Sequence, residues 1–172
     1  IYERNDVKIL VLEGMKEGQG AFKLQGKNLT DCPLETTILE NDLKYRVDVV
    51  NGQKTGYFLD QKYNRLAIRK ISKGRRVLDC FTHTGAFALN AAAGGAVSVT
   101  AVDVSKEAIA NTKHNIMLNG LEGKVSTLEA NVFELLSELV EKQVRDYDFI
   151  ILDPPAFTKS GSTVKNALRG YK

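Results

Sequence analysis

Between positions 75 and 153, strand-like and helix-like runs alternate, and this limits the possible folds more than any other feature of the chain. "RRVLDCF" reads as a strand and "GAFALNAAA" as a helix ended by Gly94-Gly95. "VSVTAVD" is a second strand, followed by the helical "SKEAIANTKHNIMLNG" with Ser105 as N-cap and Gly120 just past its end. "GKVSTLEA", "NVFELLSELVEKQ" and "YDFIILD" add a third strand, a third helix and a fourth strand. Alternation of this kind builds a parallel sheet with helices on both faces and right-handed crossovers, so the predicted fold class is α/β. The fourth strand is apolar at consecutive positions, Phe149 to Leu152, which predicts burial on both faces near the middle of a sheet. Left bare, such a strand would be an aggregation-prone edge. Only a stretch rich in Gly, Ser, Thr and Lys follows it, so the sheet is expected to be truncated at strands one to four and the chain to be a fragment.

Before the alternation lies a different pattern. Residues 1 to 34, with Gly14, Gly18, Gly20 and Gly26, read as a loop-rich or linker segment with room for one short strand. "ETTILE" and "LKYRVDVV" then flank Asn41-Asp42, with Leu43, Tyr45, Val47 and Val49 alternating with polar residues, which predicts a half-buried hairpin. "FLDQKYNRLAIRKIS" carries Phe58, Leu59, Tyr63, Leu66 and Ile71 at roughly helical spacing. A basic band without acids runs through Lys62, Arg65, Arg69, Lys70, Lys73, Arg75 and Arg76. It suits nucleic acid and, equally, a solvated helix face.

No apolar run approaches the ~20 residues of a membrane span. The two cysteines, Cys32 and Cys80, lack CxxC spacing, which argues against a disulfide framework or zinc and fits a reducing cytoplasm. His83 and His114 have no ligand partners at metal spacing, so no metal is expected.

In open α/β sheets the ligand lies beyond the carboxyl ends of the strands. Here those ends carry Asp79, Asp103, Asn131 and Asp153. A dinucleotide pyrophosphate requires a glycine-rich turn, but "DCFTHTGAFA" offers one glycine, Gly85, behind a carboxylate, Asp79. Two like charges ~4 Å apart repel by ~1 kcal/mol in water and by several times more when partly buried. Asp79 therefore disfavours NAD and suits a ligand bearing ammonium or sulfonium charge; S-adenosylmethionine carries both. Asp103 can accept hydrogen bonds from both hydroxyls of a ribose, or be a helix N-terminal charge. Asn131 can meet an adenine edge or serve as an N-cap, and the two readings are even.

"ILDPPAF" adds a base-facing group. Two prolines after Asp153 lock the backbone and remove two N–H donors. An extruded nucleobase needs hydrogen bonds on its edge and a ring to stack on. Asp153 and the carbonyl of Pro154 can supply the first and Phe157 the second. Alone, Asp-Pro-Pro would read as a turn with a packed phenylalanine; beside Asp79 and Asp103 at matching strand ends it reads as a site. Lys159, Lys165, Arg169 and Lys172 beyond it suit a phosphate backbone.

"GQKTGYFLDQKYNR", "VLDCFTHTGAFALNAAAGGA", "VDVS" and "ILDPPAFTKS" through "ALRGYK" together resemble the bacterial large-subunit ribosomal RNA methyltransferases. These S-adenosylmethionine-dependent enzymes make 5-methylcytosine, and close relatives make N7-methylguanine. The resemblance implies a Rossmann-like class I methyltransferase sheet preceded by a small β-rich subdomain. Residues 1–51 would be a linker and part of the small central domain, with "IYERND" resembling the junction after an RNA-binding PUA domain; residues 52–172 would be the N-terminal part of the methyltransferase domain. It further implies that Asp79, Thr84, Gly85 and Phe87 hold the methionine part of the cofactor, that Asp103 grips the ribose and that Phe81 is also cofactor-binding. Gln53, Thr55, Phe58, Asp60 and Arg65 would line or support the pocket. Asn131 departs from the aspartate usual beside the adenine.

C5 methylation of cytosine requires a thiolate to attack C6. By the resemblance that cysteine lies beyond Lys172, so these residues alone are not expected to turn over. Cys80, next to Asp79, reads as a packed small residue. The implied partner is ribosomal RNA, with no membrane. N7-guanine transfer, which needs no cysteine, and a catalytically silent RNA-binding module are the alternatives, and a nicotinamide oxidoreductase is the outsider. Target nucleotide and oligomeric state are not legible.

Overall fold

The computed structural model describes residues 2–4, 19–21, 35–49, 52 and 56–155. Within them, β1 (Tyr2–Arg4) pairs antiparallel with β2 (Gln19–Ala21), so the loop-rich start holds a short strand pair rather than one strand. β3 (Glu35–Glu40) and β4 (Leu43–Asp48) form the expected hairpin. Asn41 and Asp42 both adopt positive φ (51° and 62°), as the two central positions of a tight type I′ connection demand. A 3₁₀ turn (Leu59–Gln61) leads into α1 (Lys62–Ile71). The alternating part follows as β5 (Arg76–Cys80), α2 (Ala86–Ala93), β6 (Ser98–Asp103), α3 (Lys106–Leu118), β7 (Val125–Glu129), α4 (Val132–Glu141) and β8 (Phe149–Leu152).

β5 to β8 form one parallel sheet in the order β7-β6-β5-β8. The chain starts in β5, steps outward twice, then returns to the other side of β5. The switch point therefore lies between β5 and β8, where the crevice of an open α/β sheet forms.

Period-two alternation divides the sheet's side chains cleanly. Val77, Val99, Ala101, Val125 and Ile151 share one core with the small residues of α2 (Ala88, Leu89, Ala91, Ala92) and Ile116 of α3. Leu78, Cys80 and Val102 point the other way, into a second cluster with Val132 and the half-buried Leu135, Leu136 and Leu139 of α4. The hairpin joins the first core through Leu43, Tyr45 and Val47, so it packs with the parallel sheet rather than standing apart. α1 lies close against the end of α2, where a Cβ on Gly94 would collide with the carbonyl oxygen of Arg69.

β8 departs from its predicted burial. Ile151 is buried, but Ile150 and Leu152 are 48% and 60% exposed. The register pairs them with Leu78 and Cys80, on the face that α4 covers. The cluster beneath α4 takes in Leu78, Cys80 and Val102 of β5 and β6 but neither Ile150 nor Leu152, so among the described residues the β8 end of that face stays open. An apolar run does not by itself say whether both sides are covered. No described helix is long and apolar enough to cross a membrane.

Candidate functional site

The same alternation aligns three carboxylates. Asp79 pairs in register with Ala101 on one side and Ile151 on the other. Asp103 and Asp153 each stand two residues beyond those partners, on the same face of the sheet and about 7 Å further along. Asp79 thus lies at the floor of the crevice and the other two at its rims. The charges of Asp153 and Asp103 both push the Asp79 carboxyl up.

Asp79 is 1% exposed. Its Oδ2 accepts from Thr82 Oγ1 at 2.6 Å and from the backbone N–H of Ala88 at 3.0 Å. Ala88 is in the first turn of α2, whose N-cap Gly85 offers no side chain, so this oxygen satisfies an otherwise orphaned helix donor. Oδ1 is buried and has no hydrogen-bond partner. A buried, unpartnered carboxylate oxygen is costly and calls for a cation or donor supplied by a ligand.

Burial, against the relief of those two hydrogen bonds, raises the Asp79 pKa from 3.8 to about 7. In the unfolded chain the group ionises near 3.8, so between that value and about 7 the folded protein holds a proton that the unfolded one has released. Stability is greatest below the lower value and falls as pH rises through the window, by up to about 1.4 kcal/mol for each pH unit crossed. Asp79→Asn is expected to abolish this slope and to melt above the wild type at pH 8. Thermal denaturation of the ligand-free protein from pH 5 to 8 checks it; parallel profiles for the two proteins would contradict it.

The turn from β5 to α2 is strained in a regular way. Phe81, His83 and Gly85 have φ of 62°, 52° and 77°, so every second residue is left-handed. For the two non-glycine residues this costs of order 1 kcal/mol or more each, a cost typical of ligand-holding turns. Asp103 fixes the turn from the side: Oδ2 accepts from His83 N–H at 2.9 Å and Oδ1 from Ser105 N–H at 3.0 Å. Each oxygen keeps a lone pair for a further donor. Gly85 is required here, since a Cβ would stand 2.7 Å from Thr112 Cγ2 and meet positive φ as well.

Thr84 is buried, with its carbonyl turned to α3. Phe81 and Phe87 are half-buried, Phe81 edge-on to Phe133 at 5.9 Å between ring centroids and Phe87 against the main core. Phe58 lies edge-on to His83 at 5.2 Å, over the strained turn.

Arg65 supports the site from beneath. It is 2% exposed, and its Nε and one terminal nitrogen donate to Glu40 Oε1 and Oε2 at 2.6 and 2.8 Å. That same nitrogen donates to the Phe58 carbonyl at 2.9 Å, and the guanidinium stacks 4.6 Å from the Tyr57 ring centroid. Asn131 is the N-cap of α4, its Oδ1 accepting from Phe133 N–H and its amide donating to Glu134. Of its two sequence readings, the cap is the one realised in these contacts.

Asp153 is exposed, and Gln61 of the 3₁₀ turn reaches it at 3.5 Å. Partial desolvation and the nearby Asp60 carboxylate raise its pKa. Phe157, Gln53, Thr55 and the lysines and arginines after Phe157 lie outside the described residues, as does Cys32. Cys80 is fully buried, and burial first, then Asp79, pushes its thiol up to about 11. It is no nucleophile at neutral pH. The basic band splits: Arg65, Arg69 and Arg76 are tied to Glu40, the Asn41 carbonyl and Asp148, whereas Lys62, Lys70, Lys73 and Arg75 are exposed. His83, Glu40 and Thr112, none of them singled out for the site by motif, complete it through contacts far apart in the chain.

A β7-β6-β5-β8 parallel sheet with acidic groups at successive strand ends and a strained first turn defines a nucleoside-cofactor-binding α/β domain of the class I methyltransferase type. Comparison with known proteins agrees. The sequence pattern of the S-adenosylmethionine-dependent methyltransferases matches residues 13–170, and the chain belongs to that family. The ribosomal RNA large subunit methyltransferase I of Aeromonas salmonicida is 42% identical over 174 residues, covering 100% of this chain and 42% of its own length. A protein of Streptococcus mutans described as a SAM-dependent methyltransferase superimposes with a TM-score of 0.68 at 30% identity, over 85% of this chain and 40% of the other. A second structure, of a protein described as a methyltransferase and solved in complex with SAH, gives 0.68 at 34% identity over 80% and 36% of the two chains. The chain thus spans 42% of the Aeromonas salmonicida enzyme's length and 40% and 36% of the two structures.

Proposed function

We propose that this chain supplies the S-adenosylmethionine site of a methyltransferase acting on large-subunit ribosomal RNA, at C5 of a cytosine. The observation that carries the cofactor part is the unpartnered, buried Asp79 Oδ1 between the rim carboxylates of Asp103 and Asp153. Asp79 would face the ligand's cationic methionine portion, and Asp103 the two ribose hydroxyls. Exposed Val104 and Phe133, 68% and 47% accessible beside the ends of β6 and β7, offer apolar surface for an adenine. The cofactor when bound supplies an electrophilic methyl group. Asp79 must be ionised to meet a cation, so binding would release a proton near neutral pH.

On the acceptor side, Asp153 and the carbonyl of Pro154 would hold the edge of an extruded base, and Phe157 its face. A raised Asp153 pKa favours a carboxyl able to donate as well as accept a proton. The exposed Lys62, Lys70, Lys73 and Arg75 fit the phosphate backbone. The large-subunit rRNA substrate is supported by the 42% identity to the Aeromonas salmonicida enzyme.

N7 of guanine is the second reading: Cys80 is buried and un-ionised, so C5 transfer needs a thiolate from outside the described residues, whereas N7 is nucleophilic without thiolate help. Nucleoside mass spectrometry of large-subunit RNA treated with the intact protein and S-adenosylmethionine separates the two. We expect 5-methylcytidine; 7-methylguanosine would select the second reading, and no methylated nucleoside would overturn both.

A further inference from the structure

We infer that Asn115, in the last turn of α3, is a positioning residue for the cofactor, because one amide ties the cofactor turn to the outer edge of the β3–β4 hairpin. The inference rests on the reading of the Phe81–Gly85 turn as a cofactor cradle. Asn115 is fully buried. Its Oδ1 accepts from Arg46 N–H at 2.8 Å, and its Nδ2 donates to the Thr84 carbonyl at 2.9 Å. A backbone N–H on one side and a carbonyl on the other fix the orientation of the amide without ambiguity.

The hairpin edge has an uncommon partner. In β4 the backbone groups of Lys44 and Arg46 that face away from β3 meet no further strand among the described residues. One turn along α3, Asn119 accepts from Lys44 N–H and donates to the Lys44 carbonyl, both at 2.8 Å. Asn115 and Asn119 stand four residues apart on one helix face, and Lys44 and Arg46 two apart on one strand edge. The two amides therefore act as a substitute ladder that closes the edge. The difference lies in the second hand: Asn119 turns back to the hairpin and to its own helix, whereas Asn115 reaches the turn.

Thr112, one turn earlier on the same face, donates through Oγ1 to the His83 carbonyl at 3.1 Å. Two consecutive carbonyls of the turn, His83 and Thr84, are thus drawn onto α3. In a trans peptide the N–H points opposite to the carbonyl, so the N–H groups of Thr84 and Gly85 are turned away from α3. This is how a turn with left-handed residues at 81, 83 and 85 keeps one shape before any ligand binds. Docking of the hairpin and the shape of the cofactor turn are thus linked through one side chain.

Asn115→Asp keeps the acceptor for Arg46 N–H and replaces the donor to Thr84 with a second acceptor. Asn119→Asp makes the same charge change on the same helix but touches only the hairpin and its own helix. The test is calorimetric titration of the intact protein and both variants with S-adenosylhomocysteine, alongside melting temperatures. We expect affinity to fall at least tenfold for Asn115→Asp and by less than twofold for Asn119→Asp, at similar losses of melting temperature. Equal affinity losses in the two variants, or wild-type affinity in Asn115→Asp, would overturn the inference. Failure of the wild type itself to bind would instead overturn the cofactor reading beneath it. Should Asn115→Asp not fold, Thr112→Val takes its place: it removes the His83 anchor at nearly constant shape and is expected to weaken binding severalfold, and unchanged affinity would count against the proposal.

Discussion

Replacing Glu40 with alanine is expected to destabilise the protein by about 3–5 kcal/mol, enough to leave much of it unfolded at 37 °C. Glu40 and Arg65 are 5% and 2% exposed and joined by two hydrogen bonds. Removing the acid strands a guanidinium in the interior with the Phe58 carbonyl and the Tyr57 ring as its remaining partners. Tyr57 loses a partner too, since its hydroxyl donates to Glu40 Oε1 at 3.0 Å. The cost is that of an orphaned charge rather than the net worth of the pair. An apolar double replacement, Glu40→Leu with Arg65→Met, should accordingly recover most of the loss. Urea denaturation of the three proteins decides the matter: single and double variants equally unstable would mean that the cluster's geometry, not its charge balance, holds the hairpin to α1.

The second large effect concerns binding. Asp103→Ala is expected to weaken S-adenosylhomocysteine by roughly a hundredfold or more, since two hydrogen bonds to an ionised group are worth about 1.5–3 kcal/mol each. Part of that loss is indirect. The carboxylate also holds His83 N–H, and with it the left-handed residue in the middle of the turn. Asp103→Asn separates the contributions, because an amide oxygen can still take one backbone donor while the ribose loses its charged acceptor. We expect the amide variant to bind about tenfold more weakly than wild type and to lose less affinity and less melting temperature than the alanine variant, since it gives up one of the two backbone bonds. An alanine variant that binds as wild type would remove Asp103 from the site.

What was legible in the sequence was local or periodic. Strand–helix alternation, Ser105 as an N-cap accepting from Ala108 N–H, and Asn41-Asp42 as a tight turn all follow from near neighbours, and the structure reproduces them. The shared face of Asp79, Asp103 and Asp153 follows from a period of two together with parallel register. Long-range pairings were not legible. Glu40 and Arg65 are 25 positions apart and Arg46 and Asn115 are 69, and neither pair leaves a motif. Arg65 reads as one more member of a basic band until its partner is known. Asn131 was ambiguous because an asparagine at a strand end suits a cap and a ligand alike; its bond to Phe133 N–H shows the cap. The exposure of Ile150 and Leu152 was missed because an apolar run reports composition, not which helix lies over it.

Titrating the intact protein at pH 6.5, where the free Asp79 carboxyl still holds most of its proton, with S-adenosylhomocysteine and with NAD in parallel tests most directly whether the strand-end carboxylates form a site for a cationic nucleoside. S-adenosylhomocysteine should bind in the micromolar range or tighter, with proton release that varies with the buffer's ionisation enthalpy and vanishes in Asp79→Asn. NAD should give no heat of binding, because its diphosphate would meet Asp79 where a dinucleotide site offers glycines. Binding of NAD, or of neither ligand, would contradict the account.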